Sequence, residues 1–396
     1  MKRDAIQTIN LPDARGRLEP YQVREPRRFA RPARPFTRVA LAAAHVVADP
    51  LSPKDPWLEP AIDWEATLAY RRHLWSWGFG VAEAMDTAQR GMGLDWPNSL
   101  ELVRRTLEAA KGVPGAVVFS GAGTDHVAQA DVAGVIAAYE EQCGAIEKLG
   151  GRIILMASRA LAASAKAPED YGRVYDRILS QVTQPVILHW LGEMFDPALE
   201  GYWLGGAQRR SGAPDHAAAM DVCLDVIRRN AAKVDGIKIS LLDKDKEIVM
   251  RRKLPKGVRM YTGDDFNFAE LIEGDGEGHS DALLGIFDAI APAASAALGA
   301  LASGDRAAYH ELLAPTVPLS RHVFRAPTRF YKTGVVFMAW LNGHQDHFVM
   351  VGGQQSARNL LHFAELFRLA DAAGLLADPP LACARMKQLL ALHGVD

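Results

Sequence analysis

The chain has 396 residues, 49% hydrophobic and 23% charged, enough for one large domain or two ordinary ones with a sizeable core. A formal net charge of -2 excludes a whole-chain electrostatic pull toward nucleic acid or membrane. Cys143, Cys223 and Cys383 show neither ligand spacing nor a disulfide framework, and there is no signal-peptide stretch and no apolar run of about 18 residues, so a cytoplasmic protein with reduced thiols is expected.

Residues 1–37 differ in character from the rest of the chain. Ala5-Ile6-Gln7-Thr8-Ile9-Asn10-Leu11 and Leu18-Glu19-Pro20-Tyr21-Gln22-Val23 flank Pro12-Asp13-Ala14-Arg15-Gly16, which predicts a hairpin. The Arg- and Pro-rich stretch 24–38 reads as an extension that hugs the surface, because interspersed prolines suit that role better than a nucleic-acid arm. From Arg38 a strand–helix alternation begins. The apolar run 39–47 predicts a strand covered on both faces. A helix starts at Asp63, with Trp64, Leu68 and Trp75 on one face and Gly78 at its end. The second strand spans 79–85, and Leu100, Val103, Leu107 and Ala110 carry helical spacing up to Gly112. Strand 116–119, helix 128–149 and strand 152–156 come next. A helix bearing Tyr171, Val174, Ile178 and Val182 then leads to strand 185–190.

After that the rhythm lengthens. Residues 193–216 are glycine-rich, too polar and broken for a core element, and read as a lid. A helix with Met220, Cys223, Leu224 and Ile227 returns the chain to Val234-Asp235-Gly236-Ile237-Lys238-Ile239-Ser240, the sixth strand. Residues 258–261 and 282–285 are the seventh and the eighth, the last being the weakest. Helical sequence runs from about Ala291 to the end, with Leu360, Phe363 and Phe367 on one face and Gly374 closing it.

Eight strand–helix units in roughly 260 residues fit a right-handed parallel (β/α)8 TIM barrel better than an open sheet. The expected organisation is an N-terminal hairpin extension (1–37), the barrel (38–303) and extra C-terminal helices (304–396). Taken alone, the sixth strand reads first as a strand-end lysine that snorkels to solvent or pairs with a carboxylate. In a barrel, side-chain alternation turns Ile237 and Ile239 to the helices and Lys238 inward. There, burial lowers an ammonium pKa and readies the amine to attack a carbonyl. His45, Glu83, Asp86, Asp125, His126, His189, Glu193, Asp264 and Asp265 also fall at or near strand C-termini, where catalytic groups of such barrels gather.

With these residues in place, the chain resembles the dihydrodipicolinate synthase/N-acetylneuraminate lyase family of Schiff-base aldolases, from about residue 38 to residue 303. The resemblance rests on Ala61-Ile62-Asp63-Trp64-Glu65-Ala66 with Gly78-Phe79-Gly80-Val81, on Pro185-Val186-Ile187-Leu188-His189, on Asp235-Gly236-Ile237-Lys238, and on Tyr261-Thr262-Gly263-Asp264-Asp265. It implies a divergent, longer member in which Lys238 forms the imine and His189 stands where the family has a proton-shuttling tyrosine. Where the family has a carboxylate-binding Gly-Thr-Thr-Gly-Glu loop, this chain has Ala82-Glu83-Ala84-Met85-Asp86-Thr87, whose acids would repel an anionic substrate.

The leading expectation is a class I aldolase-type carbon–carbon lyase needing no cofactor or metal. Lys238 and His189 are the catalytic pair, and Glu83, Asp86, Asp125, His126, Asp264 and Asp265 bind a small-molecule carbonyl substrate, a 2-oxo acid or a sugar derivative. The extra helices and the resemblance favour a homo-oligomer. Two alternatives stay open: divalent-metal chemistry on a sugar or hydroxy acid through His45, Glu83, Asp86, Asp125, His126 and His189, and a barrel that binds a metabolite without turning it over. Gly121-Ala122-Gly123-Thr124-Asp125 lacks the third glycine of a dinucleotide loop and is read as the turn after strand three.

Overall fold

The apolar runs separated by capped helices do close into a barrel. The structure, a computed structural model, describes residues 7–206 and 215–395. These form two compact units, one of residues 38–44 and 79–285, the other of residues 7–37, 45–78 and 286–395. Among the described residues no helix is long and apolar enough to cross a membrane.

The strands in chain order are β1 (Thr8–Pro12), β2 (Leu18–Gln22), β3 (Ala40–Ala43), β4 (Gly80–Glu83), β5 (Val118–Ala122), β6 (Arg152–Leu155), β7 (Val186–Leu191), β8 (Val234–Ser240), β9 (Arg259–Thr262) and β10 (Asp281–Leu284). β3 to β10 form a closed parallel barrel in chain order, with β10 pairing back onto β3 through Leu283 and Leu41. Intervening helices start on side-chain caps: Asp95, Asp131 and Asp243 each accept a backbone N–H of the first turn, at Asn98, Gly134 and Lys246. The interior is filled by Leu41, Ala82, Phe119, Ile154, Ile187, Tyr261 and Leu283, of which Ala82 and Phe119, Ile154 and Ile187, and Leu283 and Leu41 are direct register partners. It is a packed core, with its polar end groups above and below.

One irregularity closes the N-terminal end. Val186 pairs with Val234 but Ile187 pairs with Gly236, so Asp235 is the extra residue of a bulge. Its carboxylate thereby accepts bonds from the Tyr261 hydroxyl at 2.6 Å, Arg259 at 3.1 Å and Arg152 at 3.2 Å. Gly236 is required beside it: a Cβ there would stand 2.6 Å from the Arg259 carbonyl oxygen and from the Tyr261 ring. This lattice fixes β8 so that Lys238 points into the barrel at the opposite end.

In the other unit, β1 and β2 form the expected antiparallel hairpin, with Thr8 opposite Gln22. The Asp13 carboxylate accepts the N–H groups of Arg15 and Arg17 across the turn; Ala5 and Ile6 of the predicted first strand lie outside the described residues. The hairpin is tied to the helix Leu360–Ala372, where Tyr21 donates to Asp371 at 2.7 Å. A short helical turn starts at Ile286, ahead of the expected start near Ala291; Ile290 (φ -118°) is non-helical and separates it from the helix that contains Pro292 and runs to Ala302. Further helices, Tyr331–Leu341 and Pro379–Leu392 among them, complete this unit around an aromatic cluster of Phe337, Trp340, Phe348 and Phe363.

Candidate active site

Lys238 sits near the C-terminal end of β8, in register with His189 on β7 and Tyr261 on β9, and is 7% exposed. Burial lowers its pKa, while the negative charges of Asp265 and Asp86 work the other way without cancelling the effect. Room for its side chain comes from Gly263, where a Cβ would meet Lys238 Cε at 2.8 Å and would collide with Ser240 Oγ. The glycine between Thr262 and Asp264 is thus a packing requirement of the lysine.

His189 is its neighbour across the ladder. Its Nε2 lies 3.3 Å from Ser240 Oγ, and its Nδ1 has no hydrogen-bond partner among the described residues. Asp86 Oδ2 lies 4.0 Å from that Nδ1. Burial, reinforced by the Lys238 charge, holds the imidazole well below its ordinary pKa. A neutral ring beside an amine can accept or deliver a proton without a competing positive charge. Asp86 reaches this position because the chain leaves β4 through Ala84 in the left-handed region (φ 52°), a conformation uncommon outside glycine. Arg90 clamps that turn, donating to the carbonyls of Ala84 at 3.2 Å and Gly121 at 3.0 Å.

A cavity of about 130 Å³ opens beside His189, walled by Asp86, Arg90, Thr124, Asp125, Arg159 and His189, with Met156, Leu191 and Leu199 as apolar surface; Lys238 is not among its lining residues. Its two cations are both answered. Arg90 donates Nε to Asp125 Oδ2 at 2.9 Å and a second bond to Asp125 Oδ1, and Arg159 pairs with Asp196. Burial works to raise the Asp125 pKa, but the Arg90 charge and hydrogen bonds outweigh it and hold the carboxyl low. With Arg90 and Arg159 set against Asp86, Asp125 and Asp196, the wall is left net negative.

The other residues singled out in the sequence go elsewhere. Glu83 has the outward parity of β4: its carboxylate accepts from Thr106 at 2.6 Å on the helix Trp96–Lys111 and from the Ala84 N–H at 2.8 Å. His126 is held by Gln142 at 2.7 Å and Glu141 at 3.3 Å and is absent from the cavity wall. Asp264 turns to its own loop, accepting from the N–H groups of Phe266 and Asn267, and burial raises its pKa despite those bonds. Asp265 stays buried within electrostatic reach of Lys238. Among the described residues no three His, Cys, Asp or Glu side chains converge as a metal ion would need.

Within the expected lid, residues 193–206 are described and 207–214 lie outside the described residues. The described part departs from the expectation of a polar cover. Tyr202, Trp203 and Leu204 are buried, the Trp203 ring lies tilted against Tyr175 at 4.6 Å, and the Tyr202 hydroxyl bonds Tyr175 at 2.9 Å. Aromatic packing overrides the local glycine content, and the segment supplies Asp196 and Leu199 to the cavity. Neither Arg90 nor Arg159 stands out in the sequence by motif. Arg159 comes a few residues after the end of β6, so the strand-end argument that selects the acids applies to it equally.

Fold and site together define a (β/α)8 barrel with a buried lysine on its sixth strand, facing a histidine on the fifth. The chain belongs to the family described as a protein of unknown function, DUF993, whose model matches residues 9–395. No curated protein matches it. Solved structures do. Dihydrodipicolinate synthase from Thermotoga maritima aligns with a TM-score of 0.63 and 15% identity, covering 86% of this chain and 99% of that one. A prophage protein of the dihydrodipicolinic acid synthase family from E. coli K12, in complex with pyruvate, gives 0.63 and 13% identity over 91% and 99%. The 4-hydroxy-tetrahydrodipicolinate synthase from Methylacidiphilum fumariolicum SolV gives 0.62 and 16% over 89% and 99%. At such identities the likeness is one of fold.

Proposed function

We propose that this protein is a class I aldolase-type lyase, a divergent relative of the dihydrodipicolinate synthase barrels, acting on a small hydroxylated carbonyl compound through an imine at Lys238. The observation that carries the reading is the pairing of a buried, pKa-lowered lysine with an equally buried neutral histidine across adjacent strands. The uncharged amine adds to the substrate carbonyl and the carbinolamine loses water. In the resulting protonated imine the bond between the α and β carbons breaks toward the nitrogen, leaving an enamine, as His189 takes the β-hydroxyl proton and the aldehyde departs; the imidazolium returns that proton to the enamine carbon, and water hydrolyses the imine to release the second product and the free amine. Asp86 Oδ2, 4.0 Å from His189 Nδ1, steadies the imidazolium that forms.

Substrate charge follows from the wall. Arg90 and Arg159 already hold carboxylates, so a substrate carboxylate would face Asp86 and Asp125 with no uncommitted guanidinium among the cavity-lining residues. A neutral hydroxy-aldehyde or hydroxy-ketone suits this wall better than a 2-oxo acid, its hydroxyls donating to Asp86 and Asp125. Borohydride reduction in the presence of glycolaldehyde, dihydroxyacetone and pyruvate tests this. A reduced adduct on Lys238 with the hydroxylated compounds, stronger than with pyruvate and absent in Lys238→Met, is the expected result; no adduct with any of them sinks the proposal.

A further inference from the structure

The unit built from residues 7–37, 45–78 and 286–395 contains a second cavity, of about 440 Å³, which the barrel chemistry does not use. Its size falls within the ~300–1,000 Å³ of ordinary small-molecule sites. The wall is aromatic: Phe29 from the extension, Tyr70 and Trp77 from and just beyond the helix Trp64–Ser76, and the imidazoles of His73 and His344, which lie 4.3 Å apart. Tyr70 closes the cluster edge-on to His344 at 5.0 Å.

The polar groups of this wall sort into committed and uncommitted. Asp288 is committed, bonded by the His45 backbone N–H at 2.8 Å and by His45 Nδ1 at 2.8 Å. Asn342 is committed, accepting from the Ala377 N–H at 2.9 Å and donating to the Met338 carbonyl at 3.0 Å. Arg27 pairs with Glu311 at 2.8 Å. Arg28 makes no ion pair or hydrogen bond among the described residues, and neither do the ring nitrogens of His73 and His344. Burial lowers the pKa of His73 and takes that of His344 down to about 3, so both rings are neutral near pH 7 and each offers one donor and one acceptor.

We propose that this cavity is a binding site for a planar aromatic anion, its ring against Trp77, Tyr70 and Phe29, its oxyanion on Arg28, and its remaining polar edge on His73 and His344. An apolar ligand would leave three polar groups unanswered, and a cation would meet Arg28 with the one carboxylate that the described residues give this wall, Asp288, already taken by His45. The site is independent of the Lys238 reading and survives its failure.

The test uses the full chain and three probes: 2-naphthoate, 1-naphthyl phosphate and the neutral 2-naphthamide, titrated calorimetrically. Saturable binding of one anion per chain is expected, at least ~10-fold tighter than the amide, because a charge-assisted bond to a guanidinium adds to the shared ring contact. Whichever anion binds more tightly identifies the oxyanion as carboxylate or phosphate. Arg28→Gln, at an exposed position, should weaken the anion ~10-fold and leave the amide unchanged. The imidazole resonances of His73 and His344, assigned from His73→Gln and His344→Gln, should shift on binding, and Lys238→Met should bind as the wild type does. No saturable binding of either anion, equal affinity in Arg28→Gln, or loss of binding in Lys238→Met would each overturn the proposal.

Discussion

Replacing Lys238 by Met keeps the length and bulk of the side chain and removes only the amine. The structure dictates an unusual sign for the effect on stability. Lys238 is 7% exposed, and burial depresses its pKa more than Asp265 and Asp86 raise it. In the unfolded chain a lysine titrates at ~10.4. Between the lowered folded pKa and that value the unfolded state binds more protons, so wild-type stability rises with pH across this window. Below the folded pKa the cost of the buried amine is fully present, and above ~10.4 it is gone. Lys238→Met is therefore expected to be more stable than wild type at pH 7, by ~1–3 kcal/mol on the scale of other buried charges replaced by apolar groups. The advantage should shrink as pH approaches ~10.4. Urea midpoints at pH 7, 8.5 and 10 with unchanged slopes measure it. A variant less stable at pH 7 would mean that Lys238 is held as a net-stabilising ion pair, and a difference independent of pH would mean that the amine plays no part in it. Either result removes the physical basis for an activated nucleophile.

Three further outcomes are expected. His189→Asn should cut turnover by ~10²-fold or more while leaving the borohydride-trapped adduct on Lys238, since the ring moves protons and the amine forms the bond; in the wild type the acid limb of the rate profile should lie below the ordinary histidine pKa, because His189 is depressed. Gly263→Ala should cost ~1–3 kcal/mol and also reduce adduct formation, because the new methyl collides with the Ile239 carbonyl oxygen at 2.5 Å as well as with Lys238. Glu247 is buried, accepts from the Ser280 hydroxyl at 2.7 Å, and has its pKa pushed up to about 8 by burial. The folded state therefore binds the extra proton, and stability falls as pH rises from ~4.3 through 8. Glu247→Gln should abolish that slope, gaining up to ~5 kcal/mol at pH 9 and nothing at pH 4; parallel pH–stability curves for the two proteins would refute it.

Much of the barrel was legible because its strands are short apolar runs buried on both faces, and β7 and β8 are buried almost throughout. The inward direction of Lys238 followed from alternation alone. Side-chain commitments were harder to read. Glu83 was placed by its position at a strand end, yet its parity with Val81 sends it to the helix layer, where Thr106 holds it. Asp125 is occupied by Arg90, a partner 35 residues earlier that no local pattern announces. The burial of Tyr202 and Trp203 depends on Tyr171 and Tyr175 across a gap in sequence, so glycine content misrepresented the segment. The second cavity draws on positions as far apart as Arg28, His73 and His344, and only tertiary structure brings these together.

The runs that carried the family resemblance divide, by their contacts, into packing and chemistry. In Asp235-Gly236-Ile237-Lys238 the aspartate is the bulge residue that ties Arg152, Arg259 and Tyr261 together, and the glycine is demanded by the Tyr261 ring. In the seventh-strand run, Gly263 clears space for the lysine and Asp264 organises its own turn. These residues are what a barrel needs in order to project a lysine inward from its sixth strand, and by themselves they report architecture. The proposed chemistry rests on fewer groups: the amine of Lys238, the neutral ring of His189, and a wall whose arginines are already answered by Asp125 and Asp196. On that proposal, a change of substrate within one architecture requires alteration of that second set alone.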